Sequence, residues 1–150
     1  MKTGSVQIFA AEDLEDIKTI SDRKQAIHCC KYSPCGNFLA VGSNDNRVDF
    51  YSTESDYEKV GCGSKASSFI TQLDWSNCSN YVAACDGAGE RLIYDNTGKH
   101  ITSSDTLEGI EWDTVSGVIG TDVDGVFPKV IFVGFPFFFS NRFFTMLELF

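Results

Sequence analysis

The stretch Ile27 to Tyr51, IHCCKYSPCGNFLAVGSNDNRVDFY, lies without a gap over Ile70 to Tyr94, ITQLDWSNCSNYVAACDGAGERLIY, at an offset of 43 residues. The identities are Ile27/Ile70, Ser33/Ser76, Cys35/Cys78, Asn37/Asn80, Ala40/Ala83 and Tyr51/Tyr94. The pairs Cys30/Leu73, Tyr32/Trp75, Phe38/Tyr81, Leu39/Val82 and Phe50/Ile93 keep apolar or aromatic character at fixed places. An internal period of this length is the mark of a repeat architecture. Within each copy, Ala26, Cys30 and Tyr32 and their equivalents Phe69, Leu73 and Trp75 recur at period two, which places them on one face of a strand. Ser33-Pro34-Cys35-Gly36 has the Pro and Gly of a type I turn, so Phe38 to Val41 reads as the next strand. Ser43-Asn44-Asp45-Asn46 reads as a second turn, Arg47 to Tyr51 as a third strand and Tyr57 to Cys62 as a fourth. Four strands in about 43 residues make one propeller blade, so the expected fold class is all-β.

The pattern extends in both directions. Val6-Gln7-Ile8-Phe9 lies over Val48-Asp49-Phe50-Tyr51, and Ile110-Glu111-Trp112 imitates Leu73-Asp74-Trp75. The expected organisation is an incomplete propeller over residues 1–129, with repeat units at about 5–51, 52–95 and 96–129: two nearly complete blades flanked by partial ones.

These residues carry a family resemblance. Ser33-Pro34-x-Gly36, Leu39-Ala40-Val41-Gly42-Ser43-x-Asp45 and the aromatic close at Phe50-Tyr51 resemble a WD repeat, with Tyr94-Asp95 in place of Trp-Asp. More narrowly, GSNDNRVDFY (42–51), SFITQLDWS (68–76), DGAGERLIYD (86–95) and GIEWDTVSGVIGTDVDGVFPK (109–129) resemble the echinoderm microtubule-associated protein-like family. The resemblance stops at Lys129, lacks the Gly-His dipeptide of many WD repeats, and covers far fewer blades than that family carries. It implies a non-catalytic scaffold, cytoplasmic and cytoskeletal, whose partners are microtubules or tubulin. The alternative is a generic WD-repeat adaptor for another protein complex.

Composition limits what else the chain can do. Its 150 residues suffice for one ordinary domain, and 43% hydrophobic against 22% charged residues places it among folding chains. A formal net charge of -9 opposes nucleic acid or anionic lipid as a partner through bulk electrostatics, leaving only a local basic patch, for example around Arg23, Lys24 and Lys31. The microtubule surface is itself acidic, so the same argument applies there. The six cysteines form no C-x-x-C pair and no secretory signal precedes them, which reads as a reduced intracellular chain.

The composition breaks at residues 130–150, where eight of the 13 Phe residues fall and the only charges are Arg142 and Glu148. Val130 to Phe139 is half the length of a membrane helix and is interrupted by Gly134 and Pro136. A membrane anchor is therefore disfavoured. The segment reads as unrelated to the repeats, as arises when a transcript is read past a splice junction.

No residue set assembles into a catalytic, metal or cofactor site. Gly87-Ala88-Gly89 leads into the strand pattern Arg91-Leu92-Ile93-Tyr94 rather than a helix, so it reads as a blade turn and not a phosphate loop. His28 and His100 lack ligand spacing, and His28 is expected to be a hydrogen-bonded structural residue on the inward strand face. Cys35 and Cys78 recur as turn residues, Asp45 is expected to hold its turn by accepting backbone N–H groups, and Trp75 and Trp112 to pack in cores. Glu12, Asp13, Glu15 and Asp16 read as a solvated connection.

Overall fold

In the computed structural model, which describes residues 4–10, 14–103 and 109–117, the regular structure is ten strands and no helix. The first pair, β1 (Gly4–Phe9) and β2 (Asp16–Arg23), forms an antiparallel two-stranded sheet. A four-stranded sheet follows, with β3 (Ile27–Tyr32), β4 (Phe38–Ser43), β5 (Val48–Ser52) and β6 (Glu58–Gly63) side by side in chain order. The second four-stranded sheet repeats this with β7 (Ile70–Trp75), β8 (Tyr81–Asp86), β9 (Arg91–Asp95) and β10 (His100–Ile101). The starts of β3 and β7, β4 and β8, and β5 and β9 each differ by the 43 residues of the sequence repeat. These are blades of a propeller, and the described residues hold two of four strands and one of two.

The turns repeat down to single atoms. In one blade Ser33 Oγ accepts the Phe38 N–H at 3.0 Å, and in the next Ser76 Oγ accepts the Tyr81 N–H at 3.0 Å. Ser33 and Ser76 are both buried, so this bond satisfies a backbone donor that no ladder reaches. Gly36 and Ser79 stand at equivalent places in the two turns and take positive φ, 78° and 60°.

Stacking of sheets makes the core. Ala40, Val48 and Phe50 of the first blade meet Ile70, Leu73, Trp75, Val82, Ala84 and Tyr94 of the second. Trp75 stands edge-on to Phe50 at 6.2 Å, and its Nε1 donates to the Lys31 carbonyl at 3.0 Å, so the indole is buried with its one polar atom paired. Burying each large side chain here contributes about 1.5–3 kcal/mol. The sheets approach closely: a Cβ on Gly63 would fall 2.6 Å from the Tyr94 ring. A second cluster joins Ile8 and Ile20 of the two-stranded sheet to Leu39, Val41 and Tyr51.

The period-two reading of the first strands needs one correction. A β-bulge lies between Ile27 and Cys29, and another between Ile70 and Gln72, and each shifts the alternation by one residue. Ile70, fully buried, takes the core position that alternation gave to Phe69, which is 42% exposed. Likewise Ile27, not Ala26, packs with the Leu39 cluster. His28 sits at its bulge and is exposed rather than on an inward face, although it does bond to Asn44 Oδ1 at 2.5 Å.

Cys30 and Tyr32 pair with Val41 and Leu39 and share their face, yet both are exposed, Tyr32 by 46%. Leu73 and Trp75, at the same repeat positions, are buried because the first blade covers them. The neighbour of the first blade among the described residues has only two strands, β1 and β2, and leaves the β3 end of that face uncovered. The 130–150 segment and most of 96–129 beyond Ser103 lie wholly or partly outside the described residues.

Candidate functional site

Two buried carboxylates organise the charges of the chain. Asp49 on β5 is 1% exposed and accepts Nε of Arg23 at 2.5 Å, Nη2 of the same guanidinium, and Lys59 Nζ at 2.8 Å. Arg23 also reaches Asp45 at 3.0 Å and Cys62 Sγ at 3.1 Å. Burial alone would push the Asp49 carboxyl up, but the bonds from Arg23 and Lys59 outweigh it and hold it below its usual range. The hydrogen bond to Asp49 correspondingly raises the Arg23 guanidinium. This network fastens β2 to the first blade.

Asp74 on β7 does the same for the segment 109–117. It accepts Lys31 Nζ at 2.9 Å, Thr114 Oγ1 at 2.7 Å, the Ser116 N–H and hydroxyl, and the Gly117 N–H at 3.0 Å. Burial opposes ionisation, but the donors, led by Lys31 and Ser116, bring the carboxyl down to about 2. Trp112 bridges to Ser76 and lies under the Arg91 guanidinium, 4.8 Å from its ring centroid. It is half-buried where Trp75 is fully buried.

Neither network offers a reaction. Every oxygen of Asp49 and Asp74 is engaged by donors, and no nucleophile with a base and an orienting group appears among the described residues. No group of three or more His, Cys, Asp or Glu side chains in metal-binding array occurs among the described residues, and no helix among them is long and apolar enough to cross a membrane. The glycines of Gly87-Ala88-Gly89 form the β8–β9 turn, where Asp86 Oδ1 accepts the Ala88 and Glu90 N–H groups at 3.0 and 2.8 Å. Asp45, expected to do this in the first blade, instead accepts the Ser43 hydroxyl and Arg23. The turn-holding role falls on Asp86 and Asp95, one residue type at two successive turns.

Cys35 and Cys78 are exposed and stand 3.3 Å from Ser33 and Ser76 Oγ, whose hydroxyls lower both thiols from their usual range. Cys29 goes the other way, pushed up to about 12 by burial.

The suggested basic patch around Arg23, Lys24 and Lys31 does not form. Arg23 and Lys31 are spent on Asp49 and Asp74, and only Lys24 stands exposed. The turns 24–26, 44–47, 64–69 and 87–90 all lie at one end of the strands and are laced together. Asn44 N–H donates to the Ala26 carbonyl at 2.9 Å, Asn46 Nδ2 to the Ser67 carbonyl at 3.2 Å, and Gly87 N–H to the Phe69 carbonyl at 2.9 Å. Lys24, Arg47 and Lys65 are exposed on this end. Their spacing of about 20 residues hides them as a group in the sequence. The repeat does not reveal them either, since Ser67, Glu90 and Asp22 stand at the positions equivalent to Lys24, Arg47 and Lys65.

The match to known proteins is specific. The family model for the second β-propeller of echinoderm microtubule-associated protein matches residues 1–132. The 77 kDa echinoderm microtubule-associated protein of Strongylocentrotus purpuratus is 40% identical over 133 residues, covering 86% of this chain and 19% of the relative. Human echinoderm microtubule-associated protein-like 1 is 36% identical over 131 residues, covering 85% and 16%. A ciliary WD repeat-containing protein of Euplotoides octocarinatus is 39% identical over 113 residues, covering 74% and 16%. The chain thus spans less than a fifth of these relatives. Among solved structures, a chain of the mitotic checkpoint complex superposes with a TM-score of 0.58 over 63% of this chain and 28% of its own length, at 18% identity, a likeness of fold alone.

Proposed function

The chain belongs to the echinoderm microtubule-associated protein family, in its second β-propeller, and from that premise we propose that it serves as a non-catalytic interaction scaffold of the cytoplasmic cytoskeleton with tubulin or microtubules as partner. The observation that carries this reading is the 36–40% identity to relatives named for microtubule association. The surface chemistry agrees with a scaffold: the buried carboxylates hold elements together, and the turns at both ends are left to meet a partner. The net charge of -9 sets the terms of binding, because general attraction to an acidic surface is absent and contact rests on local complementarity.

Binding to soluble tubulin tests this reading. A longer relative carrying the GSNDNRVDFY-like and DGAGERLIYD-like segments is expected to bind it, and this chain to bind more weakly, at low and at physiological salt. Absence of binding by both would move the assignment to a WD-repeat adaptor for a different complex.

A further inference from the structure

We propose that Cys35 and Cys78 are modification sites, each reacting with a small-molecule disulfide of the glutathione type to form a mixed disulfide at the end of its blade. The inference goes beyond the tubulin reading and does not depend on it.

One cradle, built twice, carries it. In each blade the serine two residues before the cysteine is buried, and its Oγ accepts the N–H of Phe38 or Tyr81 at 3.0 Å. The same Oγ stands 3.3 Å from the sulfur of Cys35 or Cys78. With an oxygen lone pair engaged by that N–H, the hydroxyl proton is left to point at sulfur. The N–H two residues after the cysteine, that of Asn37 or Asn80, also faces the sulfur. Asp86 and Asp95 hold their turns in the same manner, accepting the N–H groups of Ala88 and Thr97 two residues on. The two sulfurs thus stand where other turns of this fold put a carboxylate oxygen, and donors so placed favour thiolate over thiol. Ser33/Ser76, Cys35/Cys78 and Asn37/Asn80 are three of the six identities across the 43-residue offset, whereas Pro34/Asn77 and Gly36/Ser79 between them differ. The cradle is therefore repeated as a set.

The four other cysteines each lack part of it. Cys85 is buried, and burial pushes half-buried Cys29 up to about 12. Cys62 is half-buried against the Arg23 guanidinium. Cys30 is exposed, but no hydroxyl meets its sulfur among the described residues. The two cradles adjoin, since the Cys35 N–H donates to Ser79 Oγ at 3.1 Å across the seam between the blades. In the reaction the thiolate attacks one sulfur of glutathione disulfide, whose S–S bond breaks as the new one forms. The departing glutathione thiolate takes up the proton that the cysteine released, so the cysteine is oxidised and half of the small disulfide is reduced.

The test exposes the reduced 150-residue chain to glutathione disulfide at about pH 7, quenches with acid at intervals and reads the occupancy of each cysteine by peptide mass spectrometry. Cys35 and Cys78 should be modified at least about threefold faster than Cys30. Ser33→Ala should slow Cys35 by about threefold and leave Cys78 within about twofold, and Ser76→Ala should do the converse. A merely loosened turn would speed modification, so the sign of the change separates loss of the cradle from loss of the fold. Earlier modification of Cys30 or Cys62, an unchanged or raised rate at the cysteine whose serine is replaced, or a Cys35–Cys78 disulfide in place of two adducts would overturn the proposal.

Discussion

Asp74 shows what a single buried charge contributes in this fold. Its carboxylate accepts donors from Lys31, Thr114, Ser116 and Gly117 and is 3% exposed, so ionisation and attachment of the 109–117 segment are one event. A carboxyl lowered to about 2 in the folded chain stabilises that state fully above its unfolded value near 3.9, and the contribution is lost as pH falls through the folded value. Asp74→Asn should cost about 2 kcal/mol at pH 7 by chemical denaturation. The gap between variant and parent should close as pH drops from about 4 to about 2. A gap independent of pH would mean that packing, not charge, holds the segment.

Repetition defines the element scale. Ser33 and Ser76 each close a turn by accepting the N–H five residues on, at the same 3.0 Å, so Ser33→Ala and Ser76→Ala should each destabilise by about 1 kcal/mol and by similar amounts. Denaturation midpoints check this, and a large difference between the two would show that the blades are not equivalent units. The strands and turns of these blades were legible because period-two alternation, turn chemistry and the 43-residue offset agree with one another. The misreading at Ala26 and Phe69 came from bulges, which leave composition unchanged while moving the core position to Ile27 and Ile70. Charge partners were the least legible feature. Arg23 and Lys31 look like surface cations beside Lys24, and only the register that brings Asp49 and Asp74 beneath them reveals otherwise.

At the scale of the whole molecule, the open surfaces are the controlling feature. Among the described residues β1 pairs only with β2, and Tyr32, Cys30 and Phe9 are exposed on that side. An unpaired edge beside apolar side chains is a template for association, so residues 1–129 should self-associate in sedimentation velocity as concentration rises. Removal of 130–150, with its eight Phe, should raise solubility, and unfolding on removal would instead make that segment part of the fold. A scaffold that presents its contacts from many blades loses both contacts and rigidity when few are present. The central claim is therefore tested most directly by co-sedimentation with polymerised microtubules, comparing this chain with a longer relative that contains its blades. The longer relative should pellet with the polymer while the 150-residue chain stays largely in the supernatant. Tight pelleting by the chain alone, or failure of the longer relative to pellet, would contradict the account.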